Sequence, residues 1–391
     1  MSTLAVSRVH ATKWAKRVAA SEASRAALIL IIILNVLFFP CIWGNKTLLE
    51  SARSNPSIMP KGAWAGKPAP VTWAKSADGA AAAWFFEPSL AITGHDYRTG
   101  VLPLWNPYQG YGQPFAADMQ SQPFFPLTAL LSLHLTPLTY NLYLLVRLFI
   151  AGFFTYSFLM LFVDFLPAIT GGIAAMLGGY YVLEMVMPHI SVEMLTPAAL
   201  FAGEQLIRKR TYGSFIGFTA VLFLMNLGGM PESALLAFTL VYCYLGFRVL
   251  LELDLRNWFA LSGRIILASL AALGLSSVIL LPFLEFLRHS YNTHELVGAG
   301  GQLPGLWSYS FTSGNAFTYL FPLMFGPYHQ LTSQCGILAF FLILISLIGL
   351  LTPRPKGYAQ GSRERLFRSA TCFFNLSGAG ADEAVRGRAY K

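Results

Sequence analysis

Charged residues are scarce in this chain of 391 residues: Asp, Glu, Lys and Arg make up 12% of it, whereas 55% is hydrophobic. An ordinary soluble domain carries about 25% charged residues, so the composition excludes that class. The mean hydropathy is +0.54. Several apolar windows reach roughly 18 residues, which is the length that crosses a bilayer as a helix. The composition therefore predicts an all-α, polytopic membrane protein.

Cysteine is also scarce. The chain has four, Cys41, Cys243, Cys335 and Cys372. Their spacing matches no metal-binding motif, and three of them lie in or beside apolar segments. This pattern favours buried thiols over disulfides.

Acidic residues are outnumbered, with 18 Asp and Glu against 27 Lys and Arg, which gives a net charge of +9. The positive charges occur in short runs beside apolar segments. Cytoplasmic loops of membrane proteins show this bias. The excess of Lys and Arg therefore indicates how the chain is oriented in a membrane and does not indicate a nucleic-acid partner.

Basic residues precede the apolar run 26–43, and no A-x-A-like cleavage site follows it. This predicts an uncleaved first helix with residues 1–25 in the cytoplasm. If each later apolar span takes the chain across the membrane once, the sequence predicts about eight spans, two cytoplasmic termini and a transmembrane domain over 26–352. Residues 353–391 are predicted to form a disordered cytoplasmic tail. The predicted spans are 26–44, 138–162, 168–188, 192–207, 213–229, 233–251, 262–284 and 335–352.

A large outer loop is predicted over 45–122, and the segment 123–136 is too short to cross a bilayer, so we expect it to be interfacial or re-entrant. Acids and histidines collect on this predicted outer side, where they could form a site. Loop charges also occur simply because they cannot lie in lipid. Glu232 directly follows Pro231 at the N-terminal end of a predicted helix, where the helix dipole favours a carboxylate, so capping alone explains it.

Arg147 stands well inside the second predicted span. An intramembrane cation needs a partner, which could be an acid of the helix bundle or the phosphate of an anionic lipid. Arg98 and Arg288 are candidates for the same phosphate-binding task on the outer side, because a guanidinium group binds phosphate oxygens bidentately.

The most distinctive segment, residues 101–126, reads VLPLWNPYQGYGQPFAADMQSQPFFP. Irregular backbone of this kind cannot lie in lipid, because its peptide groups would be unpaired there. We therefore expect a polar, aromatic platform at the membrane surface. Its aromatic residues include Trp105 and Tyr108, which could belong to an interfacial aromatic belt or stack against sugar rings.

Residues 102–131 resemble the outer-loop segment of the bacterial YfhO-like membrane proteins, which are grouped with the GT-C type glycosyltransferases. The pattern G-x-x-P-L-W-N-P-Y, a Gly-rich turn, P-F and Q-S-x-x-F-Y-P-L is matched by Gly100, Pro103 to Tyr108, Gly110, Gly112, Pro114, Phe115, Gln120, Ser121 and Phe124 to Leu127. The turn Leu227 to Glu232 resembles the family's G-H-P-E/Q turn, with Met230 in place of His. The resemblance spans about residues 26–352 and implies a GT-C-like fold in the bacterial plasma membrane.

The resemblance also implies an activity, the transfer of a sugar from a polyprenyl-phosphate donor to a cell-envelope glycan, teichoic acid or protein on the outer face. An acid of the first outer loop would be catalytic: Asp78 is the best positional match, with Asp96 and Asp118 as runners-up. It would act as a general base or help to hold a divalent metal, which is the one cofactor that the resemblance implies. The candidate substrate-binding residues are Arg98, Trp105, Asn106, Tyr108, Gln120, Arg147, His189, Glu193, Glu232 and Arg288.

Two alternatives stay open at this point. A transporter or flippase of lipid-linked sugars would need polar residues in the middle of several helices, and these are sparse apart from Arg147. A non-catalytic envelope assembly protein is the other alternative, because members of the family are longer and this chain could be a truncated product.

Overall fold

The computed structural model describes residues 21–51, 81–251 and 255–290, and most of these are helical. Four helices are long and apolar enough to cross a membrane, namely Pro137–Leu159, Phe165–Leu183, Pro231–Leu250 and Arg256–Leu275. They confirm the prediction of a helical membrane protein. The predicted eighth span, the tail, Cys335, Cys372 and Asp78 lie outside the described residues.

The first predicted span begins as helix α1 (21–37) and continues into the short helix α2 (Phe39–Ile42). Ala26, Leu30 and Leu34 are buried, while apolar residues on the other faces of α1 are exposed. Residues four apart lie on one face of a helix, so a single stripe of α1 packs on the protein. Its remaining apolar surface is available to lipid.

The chain after α2 is fixed by one side chain of a later helix. Asn141 Nδ2 donates to the carbonyl oxygens of Cys41 and Lys46, each at 2.8 Å, and its Oδ1 accepts from Leu48 N, also at 2.8 Å. An amide can donate twice and accept, so this one residue satisfies three backbone groups.

Of the predicted outer loop, the structure describes residues 45–51 and 81–122, and part of this is helical. A π-helical turn (Ala82–Phe86) leads into α3 (Glu87–Thr99). A two-stranded antiparallel ribbon follows, in which β1 (Trp105–Asn106) pairs with β2 (Gln113–Pro114), with Trp105 opposite Pro114. The ribbon is the small exception to the all-α prediction within the described part of the chain.

A 3-10 turn (Ala116–Asp118) and helix α4 (Pro126–Leu133) complete this region. Eight residues of α-helix extend only about 12 Å, so α4 is too short to cross a bilayer. It packs against α3, where a Cβ on Gly94 would collide with the Ser132 carbonyl oxygen. Glycine is required there because the two helices touch through their backbones.

Helix α5 (Pro137–Leu159) is followed by α6 (Phe165–Met176) and α7 (Gly179–Leu183), which together make up the candidate span Phe165–Leu183, and then by α8 (Ile190–Glu193). Helices α5 and α6 pack closely: a Cβ on Gly152 would lie 2.9 Å from Gly172 O. Small residues at such an interface let membrane helices approach each other.

The remaining described helices are α9 (Thr196–Lys209), α10 (Tyr212–Leu227), α11 (Pro231–Leu250), α12 (Leu255–Leu275) and α13 (Ser277–His289). The predicted seventh span, 262–284, is thus divided between α12 and α13. The division falls at Ser276, whose Oγ donates to Ala272 O at 2.8 Å and accepts from Asn226 Nδ2 at 3.1 Å.

The apolar side chains form two cores. One is built by α9 to α13 together with Met119 and Phe125, and the other by α1, α3, α4, α5 and α6. Cys243 is exposed on α11, so the prediction of buried thiols is wrong for this residue. The reason is that α11 turns only one face to the core, and its apolar residues on the other faces are also exposed.

Candidate functional site

Three turns meet at one end of the bundle. Gln122 Nε2 donates to Pro188 O at 2.6 Å, which joins the distinctive segment to the turn before α8. Gly229 (φ 71°) lies so close to Met119 that a Cβ on Gly229 would collide with the Met119 carbonyl oxygen. Helix α13 packs against the turn Ala116–Asp118. We call this convergence of residues 115–122, 184–193 and 228–233 the loop end.

Asp118 presents a carboxylate with two unlike oxygens. Its Oδ1 accepts from Ser121 N at 2.9 Å. Ser121 Oγ lies 2.9 Å from both Asp118 Oδ1 and Phe115 O, and its single hydrogen can serve only one of them at a time. Asp118 Oδ2 is buried and has no hydrogen-bond partner in the described part of the chain. One oxygen is therefore anchored while the other keeps its capacity to accept a proton.

Burial raises the pKa of Asp118 to about 6, against the opposing effect of its hydrogen bonds with Ser121 and the backbone of Gln120. A general base works best when its pKa lies near the operating pH. A carboxyl group at about 6 is ionised at neutral pH and still basic enough to take a proton from a hydroxyl group. Asp118 therefore has the chemistry of a general base.

The backbone around Asp118 is strained. Met119 (φ 60°) and Gln122 (φ 52°) both adopt left-handed conformations, which residues with a side chain rarely occupy. Gln122 is fully buried, and its Oε1 has no hydrogen-bond partner among the described residues. Strained residues and unpaired buried polar atoms collect at functional sites, and they occur together here.

Arg147 is fully buried and ties α5 to the turn before α8. Its Nη1 donates to Met187 O at 3.0 Å and to Ser191 Oγ at 3.2 Å, and Nη2 donates to Met185 O. The guanidinium carbon also lies 4.6 Å from the centroid of the Tyr143 ring. Carbonyl dipoles, a hydroxyl group and a π face therefore stabilise this cation within the protein.

His189 lies beside this cation and close to an acid. Its Nε2 is 3.8 Å from Glu184 Oε2. Burial, and to a lesser extent the charge of Arg147, lower the pKa of His189 to about 4. The imidazole is consequently neutral at pH 7, and the contact with Glu184 is not an ion pair there. His189 Nε2 is buried without a hydrogen-bond partner in the described ranges.

Glu193 connects the same turn to α11. Its Oε1 accepts from Tyr180 OH at 2.9 Å, and Ser233 also donates to its carboxylate. Glu232, the residue before Ser233, is exposed. The predicted residues Asp118, Arg147, His189, Glu193 and Glu232 thus all stand in or beside the loop end.

Other predicted residues make different contacts. Arg98 is exposed, and its Nη1 donates to Leu133 O at 3.2 Å, so it fastens α3 to α4. Asn106 is buried, and its Oδ1 accepts from Tyr108 N at 2.9 Å, which shapes the turn after β1. Burial raises the pKa of Asp96 against the opposing charge of His95. The contacts of Arg98 and Asn106 therefore stabilise the conformation of the loop itself.

Gln120 also lies in the loop end and is exposed. The remaining predicted residues are the exposed Trp105, Tyr108 and Arg288, together with Asp78, which lies outside the described residues. No group of three His, Cys, Asp or Glu side chains that could hold a metal ion occurs within residues 21–51, 81–251 and 255–290.

Sequence reasoning missed a second buried cluster, at the opposite end of the bundle. Glu204, on α9, accepts from Arg208 Nε at 2.6 Å and from Tyr244 OH at 2.8 Å. Arg248 donates to both of its oxygens, from Nε and Nη2, at 2.9 Å each. Arg208 also donates to Leu161 O at 3.0 Å. The i, i+4 spacing of Glu204 and Arg208 in an apolar segment was the available signal.

Ser121, Tyr143 and Ser191 were also missed, although each contacts a predicted residue. The spacing of Asp118 and Ser121 is typical of a local side-chain-to-backbone turn, so it could have been read from the sequence. Tyr143 and Arg147 are four residues apart on α5, a spacing that places them on one face of a helix and was therefore readable from the sequence. The contact of Ser191 with Arg147 depends on how distant segments pack and had no sequence signal.

No protein-family model matches this chain, and no curated protein or solved structure matches it either.

Proposed function

We propose that this protein is a membrane glycosyltransferase that moves a sugar from a polyprenyl-phosphate donor to a cell-envelope acceptor on the outer face, with Asp118 as the general base. The observation that carries the proposal is the Asp118 carboxylate. One oxygen is anchored by Ser121, the other is buried and unpaired among the described residues, and the pKa is about 6.

The proposed reaction is a displacement at the anomeric carbon. Asp118 Oδ2 takes the proton of the acceptor hydroxyl as that oxygen attacks, so the new carbon–oxygen bond forms while the bond to the lipid phosphate breaks. The polyprenyl phosphate leaves with the bonding electrons. The reaction needs no oxidant or reductant.

A leaving phosphate is stabilised by a cation at its developing charge. Arg288 is the strongest candidate, because it is exposed near the C-terminal end of α13, the helix that packs against the Asp118 turn. Arg147 is less suited, since its fork is occupied by Met185, Met187 and Ser191. Its proposed role is to position the turn that carries His189.

The proposed architecture has about eight spans and cytoplasmic termini, which puts the loop end on the outer side. The contacts between residues 115–122, 184–193 and 228–233 support it. The first of these segments belongs to the predicted outer loop, and the other two contain the predicted outer turns between spans three and four and between spans five and six. A site at a helix-bundle end also suits a donor with an apolar tail and a polar head.

The test uses the full chain in proteoliposomes with a radiolabelled polyprenyl-phosphate sugar and an envelope fraction as acceptor. Asp118→Asn should lower the transfer rate about 100-fold or more, the usual contribution of a general base. The wild-type rate should rise through pH 6 as the carboxyl group ionises. Asp96→Asn is the matched control, since it removes an outer-loop acid that lacks the Ser121 anchor.

An Asp118→Asn variant with wild-type transfer and an unchanged pH profile would exclude Asp118 as the base. If Asp78→Asn were inactive instead, catalysis would belong to that residue. Movement of the labelled donor across the bilayer without transfer to an acceptor would identify a flippase.

A further inference from the structure

A cavity of about 490 Å³ opens at the end of the bundle opposite to the loop end. It is lined by Arg210 and Arg264 together with Leu206, Thr211, Tyr212, Phe215 and Leu267. Two arginine residues therefore border one space whose other lining residues are mostly aromatic and aliphatic. This combination suits a ligand with an anionic head and an apolar chain.

Arg264 is placed inside a membrane helix. It belongs to the candidate span Arg256–Leu275, about 12 Å from the beginning of that span at 1.5 Å per residue. Its Nη1 donates to Arg210 O at 3.2 Å, so the guanidinium group is directed toward the helix end. An ionisable residue within a span is costly and indicates a functional site.

Arg210 has an unusual backbone. It adopts a left-handed conformation (φ 55°) at the C-terminal end of α9, where glycine or asparagine is favoured. Its Nη1 donates to Asn257 Oδ1 at 3.1 Å, which holds the side chain toward α12. An arginine in a disfavoured conformation suggests that its side chain is needed there.

The start of α10 adds to the positive potential. Thr211 caps this helix of 16 residues through a capping box with Ser214, and Thr211 and Tyr212 both line the cavity. Backbone N–H groups and the helix dipole favour an anion at such a terminus. The two arginines and the helix start therefore act on the same space.

We propose that this cavity binds the phosphate of an anionic phospholipid, with an acyl chain lying along Phe215 and Leu267. Basic pockets between membrane helices on the cytoplasmic side bind anionic lipid headgroups. The site is separate from the loop end and does not depend on the proposed sugar transfer.

The test measures thermal unfolding of the purified chain in neutral detergent with added phosphatidylglycerol, phosphatidylcholine or glycerol 1-phosphate, at about 0.15 M salt, where distant charges are screened. Phosphatidylglycerol should raise the unfolding temperature, and the other two should not. Arg210→Gln and Arg264→Gln should each weaken the apparent affinity about fivefold. Lys209→Gln, which removes a neighbouring charge outside the cavity lining, should leave it nearly unchanged.

Equal stabilisation by phosphatidylcholine would overturn the proposal, because the arginines would then not select the lipid. Stabilisation by glycerol 1-phosphate at the same concentration would also overturn it, since the ligand would be a free phosphate. If an arginine variant fails to fold, the comparison of the three additives on the wild-type chain still decides the question.

Discussion

The two ends of the bundle hold buried charges in different ways. At the end that carries the cavity beside Arg210 and Arg264, Glu204 is bonded to Arg208, Tyr244 and Arg248 at 2.6 to 2.9 Å. At the loop end, Arg147 is bonded to carbonyl and hydroxyl groups, and Asp118 keeps one oxygen without a partner among the described residues. Charges that are paired with each other hold helices together. An unpaired buried oxygen such as Asp118 Oδ2 can still accept a hydrogen bond or a proton from a ligand.

This difference has energetic consequences. A buried ion pair contributes little compared with well-packed apolar groups, yet removing one partner leaves an uncompensated charge. At the loop end the main energetic cost is desolvation. Burial disfavours the ionised carboxylate of Asp118 and keeps the imidazole of His189 neutral. The two ends should therefore respond oppositely when a charge is removed.

The largest effect is expected at Glu204. Glu204→Gln leaves Arg208 and Arg248 facing a neutral amide, with Arg248 almost fully buried. We expect a loss of about 3–5 kcal/mol in the free energy of unfolding, measured by denaturation in detergent. The matched control is Glu232→Gln, which removes the same charge from an exposed position and should change stability by less than about 0.5 kcal/mol.

The next effect is a loss of stability in acid through His189. The folded pKa of His189, about 4, lies below the unfolded value of 6.5, so stability is complete above pH 6.5 and falls as the pH is lowered toward 4. The loss amounts to about 3 kcal/mol near pH 4. His189→Gln should unfold at nearly the wild-type temperature at pH 7 and at a higher temperature than the wild type near pH 4. Equal unfolding temperatures near pH 4 would contradict a buried neutral imidazole.

The smallest effect is a gain of stability from removing Asp118. Its folded pKa, about 6, lies above the unfolded value of 3.8, so folding is penalised increasingly as the pH rises from 3.8 to 6. Because Asp118 is partly exposed, we expect about 2 kcal/mol from this penalty at pH 7. Asp118→Asn should therefore unfold at a higher temperature than the wild type at pH 7, and the difference should vanish near pH 4. A destabilised variant at pH 7 would show that the carboxylate has a structural role.

Much of the helical framework could be predicted from apolar length and basic runs. The spans predicted over 138–162 and 233–251 correspond to α5 and α11, because a helix in lipid must be long and apolar. The division at Ser276 could not be predicted, since it depends on contacts of that side chain with Ala272 and Asn226.

The site was predictable in its residue types and not in its geometry. Asp118, Arg147 and His189 were singled out because charges near apolar helices need an explanation. The residues around them in the sequence did not reveal their roles. Asp118 is a candidate base, Arg147 is a cation held by carbonyl groups, and His189 is a neutral imidazole. The partners of Arg147 and the burial of Asp118 and His189 come from other segments of the chain.

The sequence by itself determined that this is a helical membrane protein, because few charges and continuous apolar runs of about 18 residues or more are typical of helices that satisfy their own backbone groups in lipid. It also determined the local turn of Asp118 and Ser121, whose spacing is short enough to act within one segment. Only the tertiary structure decided which turns meet at the loop end and which charges are paired. Burial is the main cause of the pKa shifts of Asp118 and His189, and it arises from contacts between residues far apart in the chain.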